Sequence, residues 1–247
     1  MGFIKGFIMS LGMFSVFPVP KSCWNDRYMP AVIPGLPLAG VLIGLIWYGL
    51  AYLLLWLPAP MLQSAIILFI PFFLSGFIHT DGFMDTADAV FSRRSFEEKK
   101  KILKDPLSGA FAVIAVVSLL ILQFSAVYTI VISQKSLLAF AFIPIVSRGV
   151  AGIALLNLKP VFETGYGAMF SEGARPRHTV FICALLLLCF LAAWLKLGLS
   201  ASPVLVGTLA GLLAVLYLYR QFRGMSGDLC GCVITVSEFT ALICMAL

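Results

Sequence analysis

Charge is what this sequence has least of. Only 11% of its 247 residues are Asp, Glu, Lys or Arg, against about a quarter in an ordinary soluble domain. That scarcity excludes a solvated globular surface. With 61% apolar residues and a mean hydropathy of +1.05, it points to a polytopic membrane protein. No polar linker divides the chain, so a single membrane domain over 1–247 is expected. The six cysteines form neither a disulfide framework nor zinc spacing: Cys230 and Cys232 make one C-x-C with no second pair nearby. They read as small apolar residues. The N-terminus lacks a small-residue cleavage site, which argues against a signal peptide.

Apolar length fills the space left by charge. A spanning helix takes about 20 mostly apolar residues. Runs at roughly 32–57, 61–78, 110–132, 137–156, 180–197, 204–219 and 230–247 fit that length. The expected fold is an all-α transmembrane bundle of six to seven spans. Phe3, Ile4, Phe7, Ile8, Leu11 and Phe14 recur at helical spacing before them. They predict an N-terminal amphipathic or re-entrant helix, a true first span being the other reading.

The basic residues alternate with the runs. Lys21 and Arg27 precede the first span, six cations follow the second, Lys159, Arg175 and Arg177 follow the fourth, and Arg220 and Arg223 follow the sixth. The opposite connections hold only Lys135 and Lys196. By the positive-inside rule the basic side is cytoplasmic.

The segment 79–109 holds six of the eleven acids and six of the seventeen cations. If the second span continues as helix past His79, Asp81, Asp85 and Asp88 fall at i, i+4 and i+7 on one face. Three carboxylates side by side need a cation among them or a shared proton. Oxygen ligands at that density suit Mg²⁺ or Mn²⁺. Gly82 removes a side chain beside Asp81, so a bulky group can approach the backbone there.

Ser95 and Glu98 make a capping box that opens a short basic helix, with Glu97 spaced to pair with Lys101. Lys104 and Asp105 then stand at the mouth of the third span. Arg148 lies inside an apolar run, where a charge implies an internal partner or a function. Asp228 opens the last helix, with Glu238 deeper in it. His79 reads equally as a general base or an interfacial histidine, and His178 as an exposed one. Acids with a metal, next to Lys104 and Arg148, make a site for a diphosphate. The residues alone reach that point: a metal-dependent enzyme acting on a diphosphate at the cytoplasmic face.

The arrangement His79-x-Asp81-Gly82-x-x-Asp85-Thr86-x-Asp88, followed by Lys104-Asp105-x-x-x-Gly109, resembles the cobalamin synthase family. "FPVP", "PLAGVLIG", "SRG" around Arg148 and "GMSGD" near the end are similar in order and spacing, so the resemblance covers nearly the whole chain. Thr80 stands where the family often has Leu, and "FSRRSF" replaces a glycine-richer stretch.

The resemblance implies a Mg²⁺-dependent enzyme of the bacterial inner membrane. It would join adenosylcobinamide-GDP to α-ribazole or its 5′-phosphate and release GMP. It also implies Asp81, Asp85, Asp88 and Asp105 as metal and diphosphate ligands, with Lys104, Arg148 and Asp228 as further site residues. Catalytic roles then fall to Asp81, Asp85, Asp88, His79 and Lys104, and substrate contacts to Arg148, Lys104, Asp228 and Gly82. The partners expected are the small-molecule substrates and the bilayer, with no nucleic acid. A homo-oligomer and association with other enzymes of cobamide biosynthesis stay open.

Three other readings compete. A CDP-alcohol phosphatidyltransferase needs Ala-Arg after Asp-Gly and a later G-x-x-x-D-x-x-x-D, both missing here. A UbiA-type prenyltransferase needs a second Asp-rich motif, also missing. A cation transporter places its acids near the midplane, whereas most of these cluster at one edge.

Overall fold

The apolar runs become helices in the computed structural model, which describes residues 2–247. The helices in chain order are α1 (Gly2–Phe14), α2 (Val32–Leu54), α3 (Pro60–Leu74), α4 (Ile78–Phe91), α5 (Phe96–Ile102), α6 (Ala110–Ile132), α7 (Ile143–Asn157), α8 (Tyr166–Glu172), α9 (Pro176–Leu197), α10 (Ser202–Phe222) and α11 (Gly227–Ala246). Short 3-10 turns link several of them. The described residues form no β-sheet, only an isolated bridge between Pro160 and Met225.

Five stretches are long and apolar enough to cross a membrane: Asp26–Leu54, Ala110–Ile132, Leu137–Asn157, Pro176–Phe222 and Gly227–Ala246. A sixth is added if α3 and α4 count together. The protein is therefore a multi-pass membrane protein. The stretch Pro176–Phe222 reverses at Gly198, whose φ is +56. Its arms α9 and α10 lie on opposite sides of α7, with Gly149 and Gly152 facing Leu186 and Ile182 on α9, and Val150 facing Gly211 on α10. Helix α1, at 13 residues, is about 20 Å long, too short to cross. It packs instead on α2 and the turn before it, where Gly6 meets Ala31 and Gly35 meets Ser10.

The main correction to the expected fold lies after α3. The second run does not continue as one helix past His79: α3 and α4 meet at 89°. Gly76 and Phe77 both adopt positive φ, +62 and +61, a conformation open to glycine but costly for phenylalanine. The bend is held by Ser75, whose backbone N–H and hydroxyl both donate to Pro71 O, and by Val16 N–H donating to Leu74 O at 2.9 Å.

Two apolar cores stack along the bundle. One lies toward the bare end, where Trp47 stacks on Phe140 at 4.3 Å and its indole N–H donates to Ile67 O at 2.8 Å. The larger one packs around α7, α9, α10 and α11 and reaches the basic end at Phe222 and Met225. The ends separate as the charge alternation requires. Lys135 donates to Ala246 O at one end, while Met225 exchanges backbone hydrogen bonds with Lys159 and Val161 at the other.

Candidate active site

Helix α4 carries the acids and α11 positions them. The two helices cross where glycine removes the obstacle. A Cβ on Gly82 would lie 2.6 Å from Asp228 O, and one on Gly231 would lie 3.0 Å from His79 O. Thr235 adds a hydroxyl hydrogen bond to His79 O at 3.1 Å. Gly82, expected as a substrate contact, admits the backbone of α11. It is buried for that reason.

This crossing brings Asp228 beside the α4 face. The charges that act on Asp85 come from Asp81, Asp228 and Asp88, and Asp81 also acts on Asp228. Asp81 is exposed, while Asp85, Asp88 and Asp228 are half-buried. Asp88 has a second attachment. Its Oδ2 accepts the backbone N–H of Gly109 at 3.0 Å, at the N-terminus of the 23-residue helix α6. A carboxylate is favoured there by the helix dipole and the free N–H groups. Gly109 is required because a Cβ would collide with the Asp88 carboxylate.

Asp105 is not among the charges that act on Asp85. It is exposed and folds back so that Oδ1 accepts Leu107 N–H at 3.0 Å. The fourth member of the cluster is Asp228, supplied by α11, where Asp105 was expected. Lys104 turns to the ring of Phe162, 4.4 Å from its centroid. The capping box of α5 forms as expected, with Ser95 and Glu98 bonded reciprocally. The Glu97–Lys101 pair does not form among the described residues. Lys99 instead donates to Gln221 on α10 at 2.6 Å, and Arg223 sits over Phe96 at 5.2 Å. The basic helix is thus anchored to the protein. Hydrogen bonds from Ser95 hold the exposed Glu98 carboxyl below its ordinary range.

Arg148 does not reach the carboxylate face. It is 0% exposed. Its Nη1 donates to Glu238 Oε1 at 2.6 Å and its Nη2 to Ser75 Oγ at 3.1 Å. Ser147 donates to the same Glu238 oxygen at 2.9 Å. Arg148, expected as a substrate contact, is held in an internal ion pair, for the reason that flagged the residue: a charge this deep needs a fixed partner. That pair also answers what Glu238 does.

His79 is buried, stacked near Phe14 at 6.5 Å, and its Nε2 has no hydrogen-bond partner. His178, expected to be exposed, is also buried. The loop after Glu163 contains helix α8, placed near Phe14 through Phe170 at 6.5 Å. The sequence reading missed Gly231 and Ser75. The spacing Asp228-x-x-Gly231 was the available signal for the first, and nothing local marked the second.

The donor set suits a hard cation. Among the described residues no three His, Cys, Asp or Glu side chains converge closely enough to form a closed cage. Mg²⁺ does not need one, because it is usually held by one or two carboxylates, water and the oxygens of a bound phosphate. Asp81 and Asp85, one turn apart, with Asp228 opposite, fit that mode.

The chain matches the family described as Cobalamin-5-phosphate synthase over residues 6–246. It is 34% identical over 247 residues to an adenosylcobinamide-GDP ribazoletransferase of Clostridium perfringens (strain SM101 / Type A), covering 99% of this chain and 98% of that one. A protein of the same name from Clostridium botulinum (strain Alaska E43 / Type E3) is 35% identical over 240 residues, covering 96% and 95%. One from Geobacillus sp. (strain WCH70) is 29% identical over 249 residues, covering 98% and 94%. No solved structure matches the chain. A family match over nearly its whole length, together with relatives of this identity and coverage, means that the chain belongs to the cobalamin-5-phosphate synthase family.

Proposed function

We propose that this protein is an adenosylcobinamide-GDP ribazoletransferase of cobalamin biosynthesis. It joins adenosylcobinamide-GDP to α-ribazole or its 5′-phosphate and releases GMP. The named relatives support the substrates. The observation that carries the chemistry is the carboxylate face of α4, completed by Asp228 across Gly82.

In the reaction a ribazole hydroxyl oxygen bonds to the phosphorus that carries cobinamide. The bond from that phosphorus to the oxygen of GMP breaks, and the hydroxyl proton passes to a carboxylate of the same face. One or two of Asp81, Asp85 and Asp228 would hold Mg²⁺, with Mn²⁺ as a substitute, the diphosphate and water supplying the remaining oxygens, and Asp88 orders the mouth of α6 beside them. When bound, the cation neutralises charge on the diphosphate and its leaving oxygen. The carboxylates align the diphosphate along α4, and positioning of this kind accounts for most of the catalysis in phosphoryl transfer. The active face lies on the basic side of the bundle, which the positive-inside rule makes cytoplasmic, in the bacterial inner membrane.

The test is turnover by protein in lipid nanodiscs supplied with adenosylcobinamide-GDP, α-ribazole and Mg²⁺. GMP release together with cobalamin formation is expected. A folded preparation that releases no GMP refutes the assignment.

A further inference from the structure

We propose a second site, built for a phosphate group without a metal, between α1 and the start of α9. A cavity of about 760 Å³ there is lined by Lys5 on α1, Arg27 in the turn before α2, and Arg175, Arg177 and His178 at the opening of α9. No acid lines it. Asp26, beside Arg27 in sequence, faces a different cavity. None of the four cations has a carboxylate within ion-pair distance, since the ion pair found among the described residues is Arg148–Glu238.

Four like charges around one space repel each other; Lys5 is half-buried, while Arg27, Arg175 and Arg177 are exposed and partly screened by solvent. A dianion relieves it. Arginines suit this ligand because their planar forks match phosphate oxygens two at a time. His178 gives an independent indication. It is 8% exposed, lines the cavity, and its Nδ1 has no hydrogen-bond partner. A buried polar atom left without a partner is costly, and turning the His178 ring into the cavity would let a phosphate oxygen accept from it. Phe3 and Phe181, edge to face at 5.1 Å, give the cavity an apolar wall, so the phosphate can belong to a molecule with an apolar part.

The cavity shares no lining residue with the carboxylate cluster. The two also differ in chemistry: the acids recognise a phosphate only through a cation, whereas this cavity recognises it directly. The phosphate has two sources, the headgroup of an anionic lipid or a soluble phosphorylated molecule.

Two arms separate them. In the first, metal-free protein in phosphatidylcholine nanodiscs, with chelator present, is titrated calorimetrically with inorganic pyrophosphate. In the second, native mass spectrometry counts phosphatidylglycerol retained from nanodiscs of mixed phosphatidylcholine and phosphatidylglycerol. Saturable binding is expected in at least one arm, weakened at least tenfold by Arg175→Gln with Arg177→Gln and unchanged by Arg220→Gln. Binding in the first arm identifies a soluble phosphate, and binding in the second alone a lipid headgroup. Lys5→Gln and Arg27→Gln, tested singly, give the same reading should the double variant not fold. No saturable binding in either arm, or equal binding by wild type and the cavity variants, overturns the proposal.

Discussion

Two charged regions of this bundle lie on neighbouring helices and resolve their charge in opposite ways. In the core, Arg148 and Glu238 neutralise each other at 2.6 Å, with Ser147 and Ser75 occupying other bonding positions. At the basic end, Asp81, Asp85, Asp88 and Asp228 crowd one another with no ion pair among the described residues; only Asp88, bonded to Gly109 N–H, and Asp228, bonded to its own backbone N–H, have a hydrogen-bond partner there. A charge that is paired inside the protein supports the fold. A cluster left uncompensated at an open face is arranged for something that arrives from outside. Arg148 belongs to the paired region, although both regions stand out equally in the sequence.

The largest effect should come from breaking the paired region. Glu238→Ala leaves Arg148 charged and buried, which should cost about 3–5 kcal/mol of stability. A denaturation series in lipid or detergent should show this as a much lower midpoint, and Arg148→Met in the same background should recover part of it. An unchanged midpoint for Glu238→Ala would mean that the pair does not support the fold.

The open region should respond in the reverse sense. Asp85→Asn should leave the unfolding midpoint unchanged or slightly raised, because it relieves repulsion. It should lower turnover by about 10²-fold or more, the scale for losing one electrostatic contact to a transition state. Turnover within twofold of wild type would remove Asp85 from the site.

Gly82→Ala tests how the open region is assembled. The added Cβ meets the backbone of Asp228 at 2.6 Å, so α4 and α11 must separate. Overpacking of this kind costs about 1–3 kcal/mol. Turnover should fall more than stability does, since Asp228 moves away from Asp85. Full turnover with the midpoint lowered would show that Asp228 is dispensable.

The smallest effect concerns the exposed cap of α5. The hydrogen bonds that lower the Glu98 pKa also favour the folded helix. This contribution is present above the unfolded value and is lost as pH falls through the lowered folded one. Amide exchange in α5 should therefore accelerate in acid, and Ser95→Ala should reproduce that faster exchange at neutral pH. Exchange in α5 that ignores both changes would show that Lys99 and Arg223 alone hold the helix.

Much of this was legible before any coordinates. The spans follow from apolar run length, the alternating ends from basic residues, and the carboxylate face from Asp81, Asp85 and Asp88 at helical spacing. The bend after α3 was not legible, because Gly76 and Phe77 sit in an unbroken apolar run whose only nearby proline, Pro71, lies inside α3. The partner of Arg148 lies 90 residues away in sequence, and pairing at that distance leaves no local pattern. Asp105 was expected in the cluster because it follows the acidic face in the chain. Its own side chain closes a turn instead, and the vacancy is filled from α11 through two glycines that no periodicity marks.

The proposed reading makes the acids of α4 and α11 one cation-dependent site. The most direct measurement is Mn²⁺ binding by electron paramagnetic resonance, on protein in phosphatidylcholine nanodiscs with pyrophosphate present. Saturable binding by the wild-type protein is expected, competed by Mg²⁺, and weakened at least tenfold by Asp85→Asn and by Asp228→Asn separately. Equal binding by wild type and both variants would contradict it.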